Sequence, residues 1–144
     1  MCSSDLAATV NRPVGLVDLA PTFCAIAGLP VPEWMEGKPL PSSDSDADAR
    51  GFERSLTEWD SDLFGVDVHL RTITRDGWVC TTYQAGHSHD GTEGELYRID
   101  DDPLQRVNLW DDPAYAAVHS DLLADLWDHQ PVMTEPLRRV EAPV

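Results

Sequence analysis

The run VHLRTITRDGWVCTTYQ, residues 68 to 84, constrains the chain more than any other stretch. Its two arms are rich in β-branched and aromatic residues, which suit a pleated, half-buried surface. Between them stands Asp76-Gly77. A two-residue turn of type I′ needs positive φ at both positions, and Asp-Gly supplies it at low cost. The spacing predicts an antiparallel hairpin. His69, Arg71, Ile73 and Arg75 alternate with Leu70, Thr72 and Thr74, so neither face is purely apolar. RSLTEWD, residues 54 to 60, reads as a strand before it, and GELYRID, residues 94 to 100, as a short strand after it.

Beyond the last strand the chain is punctuated by two Asp-Pro steps. Asp102-Pro103 makes a turn, because Asp initiates turns and Pro presets the next backbone angle. Asp112-Pro113 opens a helix, with Asp112 as cap and Pro113 at the first helical position. Tyr115, Val118, Leu122 and Leu126 form an apolar stripe, widened by Leu123 and Trp127. Pro131 ends the helix, and residues 131–144 are expected to be irregular. The segment turns a sheet edge into an amphipathic helix that packs back on the sheet.

Upstream, Val14 to Val17 reads as the end of a buried strand. Asp18 is placed to cap a helix carrying Leu19, Phe23 and Ile26 on one face. Gly28 closes that helix, and Pro30 and Pro32 prevent its extension. Residues 33 to 51 are rich in Pro, Ser, Asp and Gly without periodicity, so a surface linker is expected. The opening MCSSDL does not blend into the rest. With a GTG start it can be written GTG-TGC-TCT-TCC-GAT-CT, the end of a common short-read sequencing adapter. Residues 1 to 6 are therefore expected to be non-native.

Composition removes several classes. Ten Lys and Arg against 26 Asp and Glu give a net charge of -16, which disfavours nucleic acid and anionic membranes as partners. No apolar run approaches the roughly 18 residues that a membrane span needs, so a soluble protein is expected, whether cytoplasmic or exported. Cys2, Cys24 and Cys80 are odd in number and lack CxxC spacing, which argues against a disulfide framework or structural zinc. Cys24 and Cys80 lie in apolar patterns and are expected to be small buried hydrophobes.

Two ordered segments carry a resemblance. GELYRIDDDPLQRVNLW resembles the closing segment of sulfatases through Glu95, Leu96, Tyr97, Asp102, Pro103, Asn108 and Leu109, with Arg98 and Arg106 departing from the usual residues. VDLAPTFCAIAGLPVPEWMEGKPL is similar to an earlier sulfatase segment through Asp18, Pro21, Thr22, Gly28, Pro32, Gly37 and Leu40. The hairpin lies between them, as in that family. The resemblance implies a C-terminal fragment of a sulfatase of the alkaline-phosphatase-like superfamily. The implied fold is an α+β fragment of an α/β fold, a small antiparallel sheet with a long C-terminal helix. Residues 7–41 would finish the large α/β domain, 42–52 would link, and 53–130 would form the C-terminal subdomain. The missing N-terminal domain of the same chain would be its partner.

The family hydrolyses sulfate esters with a formylglycine made from Cys or Ser in C/S-x-P-x-R, and with a divalent cation, usually calcium. Charged donors and the metal stabilise the tetrahedral transfer. None of the three cysteines is followed by that pattern, so this chain is expected to hold neither nucleophile nor metal and to hydrolyse nothing alone. Candidate substrate-cleft residues are Asp60 and His69 in EWDSDLFGVDVH, and His87 and His89 in the loop AGHSHDGTEG. His87, His89 and Asp90 have a spacing that could hold a metal, though a solvated loop is the simpler explanation. Trp59 and Phe64 could stack on a substrate or pack in the core. Asp100, Asp101 and Asp102 lack EF-hand spacing and read as turn and cap residues. Arg71 and Arg75 alternate on one strand and could contact an anion, though pairing with nearby acids at the surface is the simpler expectation.

Two other readings compete. One is a phosphodiesterase or phosphonate monoester hydrolase of the same superfamily. The other is a stand-alone acidic interaction module. The enzyme reading predicts exposed apolar surface on residues 14 to 29, and the module reading predicts a self-contained fold.

Overall fold

The structure, a computed structural model, describes residues 9–63 and 66–130. The opening MCSSDL, Phe64 and the tail 131–144 lie outside them. Four strands, β1 (Arg54–Leu63), β2 (Val66–Arg75), β3 (Trp78–Tyr83) and β4 (Gly94–Arg98), pair as an antiparallel meander in chain order. Helix α1 (Leu19–Ile26) and a short α2 (Asp44–Ala49) precede the sheet, and α3 (Ala116–His129) comes after it. The hairpin forms where expected, with φ 51° at Asp76 and 76° at Gly77.

Register puts Leu56, Ile73, Cys80 and Leu96 side by side on one sheet face. Helix α3 lays Leu122 and Leu126 onto that row, and Ile73, Cys80, Leu96, Leu122 and Leu126 make the core. Asp112 caps the helix entry as expected, its side chain accepting from Ala114 N at 2.9 Å. Trp127, expected to widen the stripe, is instead 48% exposed. On the opposite face Thr72 and Thr81 hydroxyls bond at 2.9 Å.

Asn108 explains the punctuation after β4. Its Oδ1 accepts from Leu96 N and Trp110 N, each at 3.0 Å, and its Nδ2 donates to Gly94 O at 2.9 Å. Leu109 N donates to Leu96 O at 2.9 Å, so Asn-Leu covers the β4 edge like a rudimentary strand. Asp102 holds the turn before it, accepting from Arg106 N and Val107 N. Gly94 has no substitute, since a Cβ there would lie 2.3 Å from the Trp110 ring. Asn108→Ala leaves the Leu96 amide without its partner. A loss of about 1–2 kcal/mol in urea unfolding is expected, with solvent at this exposed edge limiting the cost.

Three local expectations fail. Val14 to Val17 is not a strand: among the described residues no strand pairs with it, and Leu16–Asp18 forms a 3-10 turn. Asp18 does not cap α1. Its buried carboxylate accepts from Gly15 N at 2.8 Å and Lys38 N at 2.9 Å, tying two loops together. The expected linker contains α2, capped by Ser43, which accepts from Asp46 N, and braced by an Arg50–Asp46 pair at 2.6 Å. Ala47 and Phe52 anchor it in the interior. Gly28 does close α1, with Leu29 N donating to Cys24 O at 2.9 Å.

The cysteines divide. Cys80 is fully buried, and burial pushes its thiol up to about 12. Cys24 is only half-buried, against expectation, because the α1 face around it is open. Iodoacetamide at mild alkaline pH is expected to modify Cys24 well before Cys80, read by peptide mass mapping. Equal rates at the two sites would contradict the buried placement of Cys80. Among the described residues no helix is long and apolar enough to cross a membrane.

Candidate functional site

EWDSDLFGVDVH is strand rather than loop on both sides of its centre, since β1 runs to Leu63 and β2 starts at Val66. The register sets Asp60 directly opposite His69, with Arg71 two residues further along the same face of β2. Asp60 Oδ1 lies 2.7 Å from His69 Nδ1. Arg71 grips the same carboxylate with both terminal nitrogens, Nη1 to Oδ1 at 2.9 Å and Nη2 to Oδ2 at 3.1 Å. Nη1 also donates to Leu70 O at 2.8 Å. Hydrogen bonding from Arg71, helped by His69, holds the Asp60 carboxyl below its ordinary range despite partial burial. Asp60 is therefore a carboxylate at neutral pH and only accepts, so His69 Nδ1 is the donor.

Arg71 pairs with an acid as expected, but in the interior rather than at the surface, at 7% exposure. Arg75 makes different partners: Asp121 and Asp125 on α3, and Asp76 at 3.4 Å. Arg54 joins it, Nε to Asp125 Oδ1 at 3.0 Å, and His129 Nδ1 adds a contact at 2.9 Å. Asp125 is thus the hub fastening α3 to the sheet. Nothing local in the sequence marks it, because its partners lie up to 71 residues away.

The loop after β3 packs beside the Asp60–His69 pair. Gln84 N donates to His69 O at 2.8 Å, and His87 N donates to Asp67 Oδ1 at 2.7 Å. His89 turns to Tyr83, with ring centroids 4.5 Å apart, and Tyr83 OH donates to Glu95 at 2.9 Å. Tyr83 and Glu95 lie on the sheet face opposite His69. The His89 ring therefore turns away from Asp60 and His69, while the backbone of His87 ties their shared loop to Asp67 beside that pair. Asp90 is committed to a local turn with Thr92, whose hydroxyl and amide hold its carboxyl low.

Among the described residues no three His, Cys, Asp or Glu side chains gather as a metal site. Cys24 is followed by Ala25-Ile26 and Cys80 by Thr81-Thr82, which do not fit a formylglycine precursor. Among the described residues, then, neither cysteine stands in a formylglycine pattern and no side-chain cluster suits calcium. Trp59 is 60% exposed, on the face opposite Asp60, so it is neither core nor a neighbour of that pair. Asp101 pairs with Arg98 at 3.2 Å and Asp102 caps its turn, as expected. A cavity of about 420 Å³ lies elsewhere, between Asp18, Lys38, Phe52, Arg54 and His129. Its cations are spent: Lys38 Nζ donates to Arg50 O and Gly51 O, and Arg54 and His129 bind Asp125.

No family model matches the chain. Over 113 residues it is 31% identical to the Delta 4,5-hexuronate-2-O-sulfatase of Bacteroides thetaiotaomicron, covering 76% of this chain and 22% of that protein. It is 30% identical over 131 residues to the uncharacterized sulfatase YidJ of Escherichia coli, covering 90% of this chain and 24% of that one. A solved 2-O GAG sulfatase matches with a TM-score of 0.60 and 31% identity over 77% of this chain and 23% of its own. A further solved structure, in complex with a disulfated glucosamine, shares the fold at a TM-score of 0.59 and 19% identity. The chain spans less than a quarter of the length of the curated relatives it matches. The four-stranded antiparallel sheet with its long helix corresponds to the C-terminal part of sulfatase structures, as the two sequence segments implied.

Proposed function

We propose that this chain, a relative of the sulfatases over less than a quarter of their length, is the C-terminal subdomain of an enzyme that hydrolyses sulfate esters of sugars. One observation carries the reading beyond likeness. Leu16, Val17, Phe23, Ile26, Leu29 and Trp34 are each more than 60% exposed, all within one stretch before the sheet. A self-contained module buries such residues, whereas a segment finishing a larger α/β body presents them to it. The same exposure disfavours the acidic interaction module.

In this reading the formylglycine nucleophile and the calcium ion belong to the remainder of the parent enzyme. The sheet supplies a rim of the substrate cleft at its Asp60–His69 end, bordered by the loop carrying His87 and His89. The sulfatase relatives' names point to a 2-O-sulfated uronate-containing sugar as substrate. The test is to amplify the locus from source DNA across residue 1, read the upstream frame, and assay the resulting enzyme. The expected frame carries C/S-x-P-x-R, and its product releases sulfate from the sugar faster than it cleaves a phosphodiester. A stop immediately before Met1 overturns the reading. Preference for the phosphodiester favours the phosphoester hydrolase instead.

A further inference from the structure

The Asp60–His69–Arg71 group is built in a way that simple charge neutralisation does not require. Asp60 alone balances Arg71, and its two oxygens already take both guanidinium donors. His69 adds nothing to that balance, yet its Nδ1 is held at 2.7 Å on Oδ1. A buried cation thus fixes a carboxylate, and the carboxylate fixes one imidazole nitrogen. With Nδ1 donating, the neutral ring carries its lone pair at Nε2. That nitrogen sits on a side chain 35% exposed, whereas the Arg71 side chain behind it is 9% exposed. Both residues come from regular strands, which hold geometry better than loops do. The loop anchored through His87 N to Asp67 closes one side of the same sheet end.

We propose that His69 contacts the substrate, its Nε2 accepting a hydrogen from a sugar hydroxyl, with Asp60 and Arg71 as positioning residues. A ring-hydroxyl ligand suits the neutral imidazole better than a sulfate group does: its Nε2 lone pair accepts a hydrogen, and the chain carries a large excess of acidic residues. The inference rests on the sulfatase reading above and deepens it.

The test uses the full-length enzyme, with residues numbered as here, and two substrates: the sulfated disaccharide, and an aryl sulfate with no sugar hydroxyls. In His69→Asn the amide nitrogen takes the place of Nδ1 and keeps the Asp60 bond, but nothing reaches the position of Nε2. In His69→Gln an amide oxygen reaches that position. His69→Asn is expected to raise KM for the disaccharide about tenfold, the worth of one hydrogen bond, with kcat little changed. His69→Gln is expected to recover most of that loss. Neither is expected to change KM for the aryl sulfate. Asn behaving as wild type on the disaccharide overturns the proposal. Equal losses on both substrates, or a loss in Asn that Gln does not recover, mark a structural role and overturn it too. A wild-type enzyme inactive on both substrates fails the sulfatase reading itself, and this inference falls with it; that failure appears before any variant is made.

Discussion

Asp125→Ala is expected to lower the stability of the chain by about 3–5 kcal/mol, read as a fall in the urea midpoint with little change in slope. Asp125 is 9% exposed and receives Arg54, Arg75 and His129. Burial alone would raise its carboxyl, but hydrogen bonds and charge from Arg75 and Arg54 outweigh that and leave it below the ordinary range. Removing it strands two mostly covered guanidiniums, with Glu53 left for Arg54 and Asp76 and Asp121 for Arg75 among the described residues. Asp125→Asn retains an acceptor and is expected to lose less. A group depressed on folding stabilises fully above its unfolded value, near 4, and loses that contribution as pH falls through its folded value. Wild type is therefore expected to weaken progressively below about pH 4, with a shallower acid limb in Asp125→Asn. Identical limbs in the two proteins would remove Asp125 from this role.

Leu122→Ala is expected to cost about 2–5 kcal/mol in the same measurement. Leu122 is fully buried among Ile73, Cys80, Leu96 and Leu126, so its truncation leaves a cavity in the closed part of the core. Trp127 provides the control on the same helix. It is larger, yet 48% exposed, and Trp127→Ala is expected to change stability by less than about 1 kcal/mol. A larger loss at Trp127 than at Leu122 would mean that α3 is rotated from the orientation described.

The parts of the fold legible in the sequence are those fixed by neighbours in sequence. Asp76-Gly77 determines its own turn, and Asp112-Pro113 its own helix start. Asp18 shows the limit of such reading. It has the position and chemistry of a cap, yet Lys38 N, 20 residues later, takes its carboxylate. Helix α2 has no apolar periodicity to reveal it; side-chain bonds of Ser43 and Asp46 and the burial of Ala47 make it. Val14 to Val17 reads as strand from composition, but a strand exists only where another pairs with it.

The candidate site is half visible in the sequence. Asp60 and His69 are visible as titratable residues in EWDSDLFGVDVH, but Asp60 is one of several acids there, and its contact with His69 depends on the pairing Asp60↔His69. Arg71, the residue that orders them, reads as one of several strand arginines. Only its depth beneath the sheet surface separates it from Arg75 and Arg98. His87 and His89 look paired by spacing, yet His87 is held through its backbone N–H to Asp67, and the His89 ring packs on Tyr83.

The meander has a kinetic consequence. Each strand pairs with the one made just before it, so the sheet assembles from short-range contacts, which favour fast closure. The bonds from Arg54 and Arg75 to Asp125 bridge 71 and 50 residues and wait for helix α3 to emerge from the ribosome. Docking of that helix is then the late event in folding and the first to reverse. Loss of Asp125 would accordingly accelerate unfolding while leaving the rate of sheet formation almost untouched.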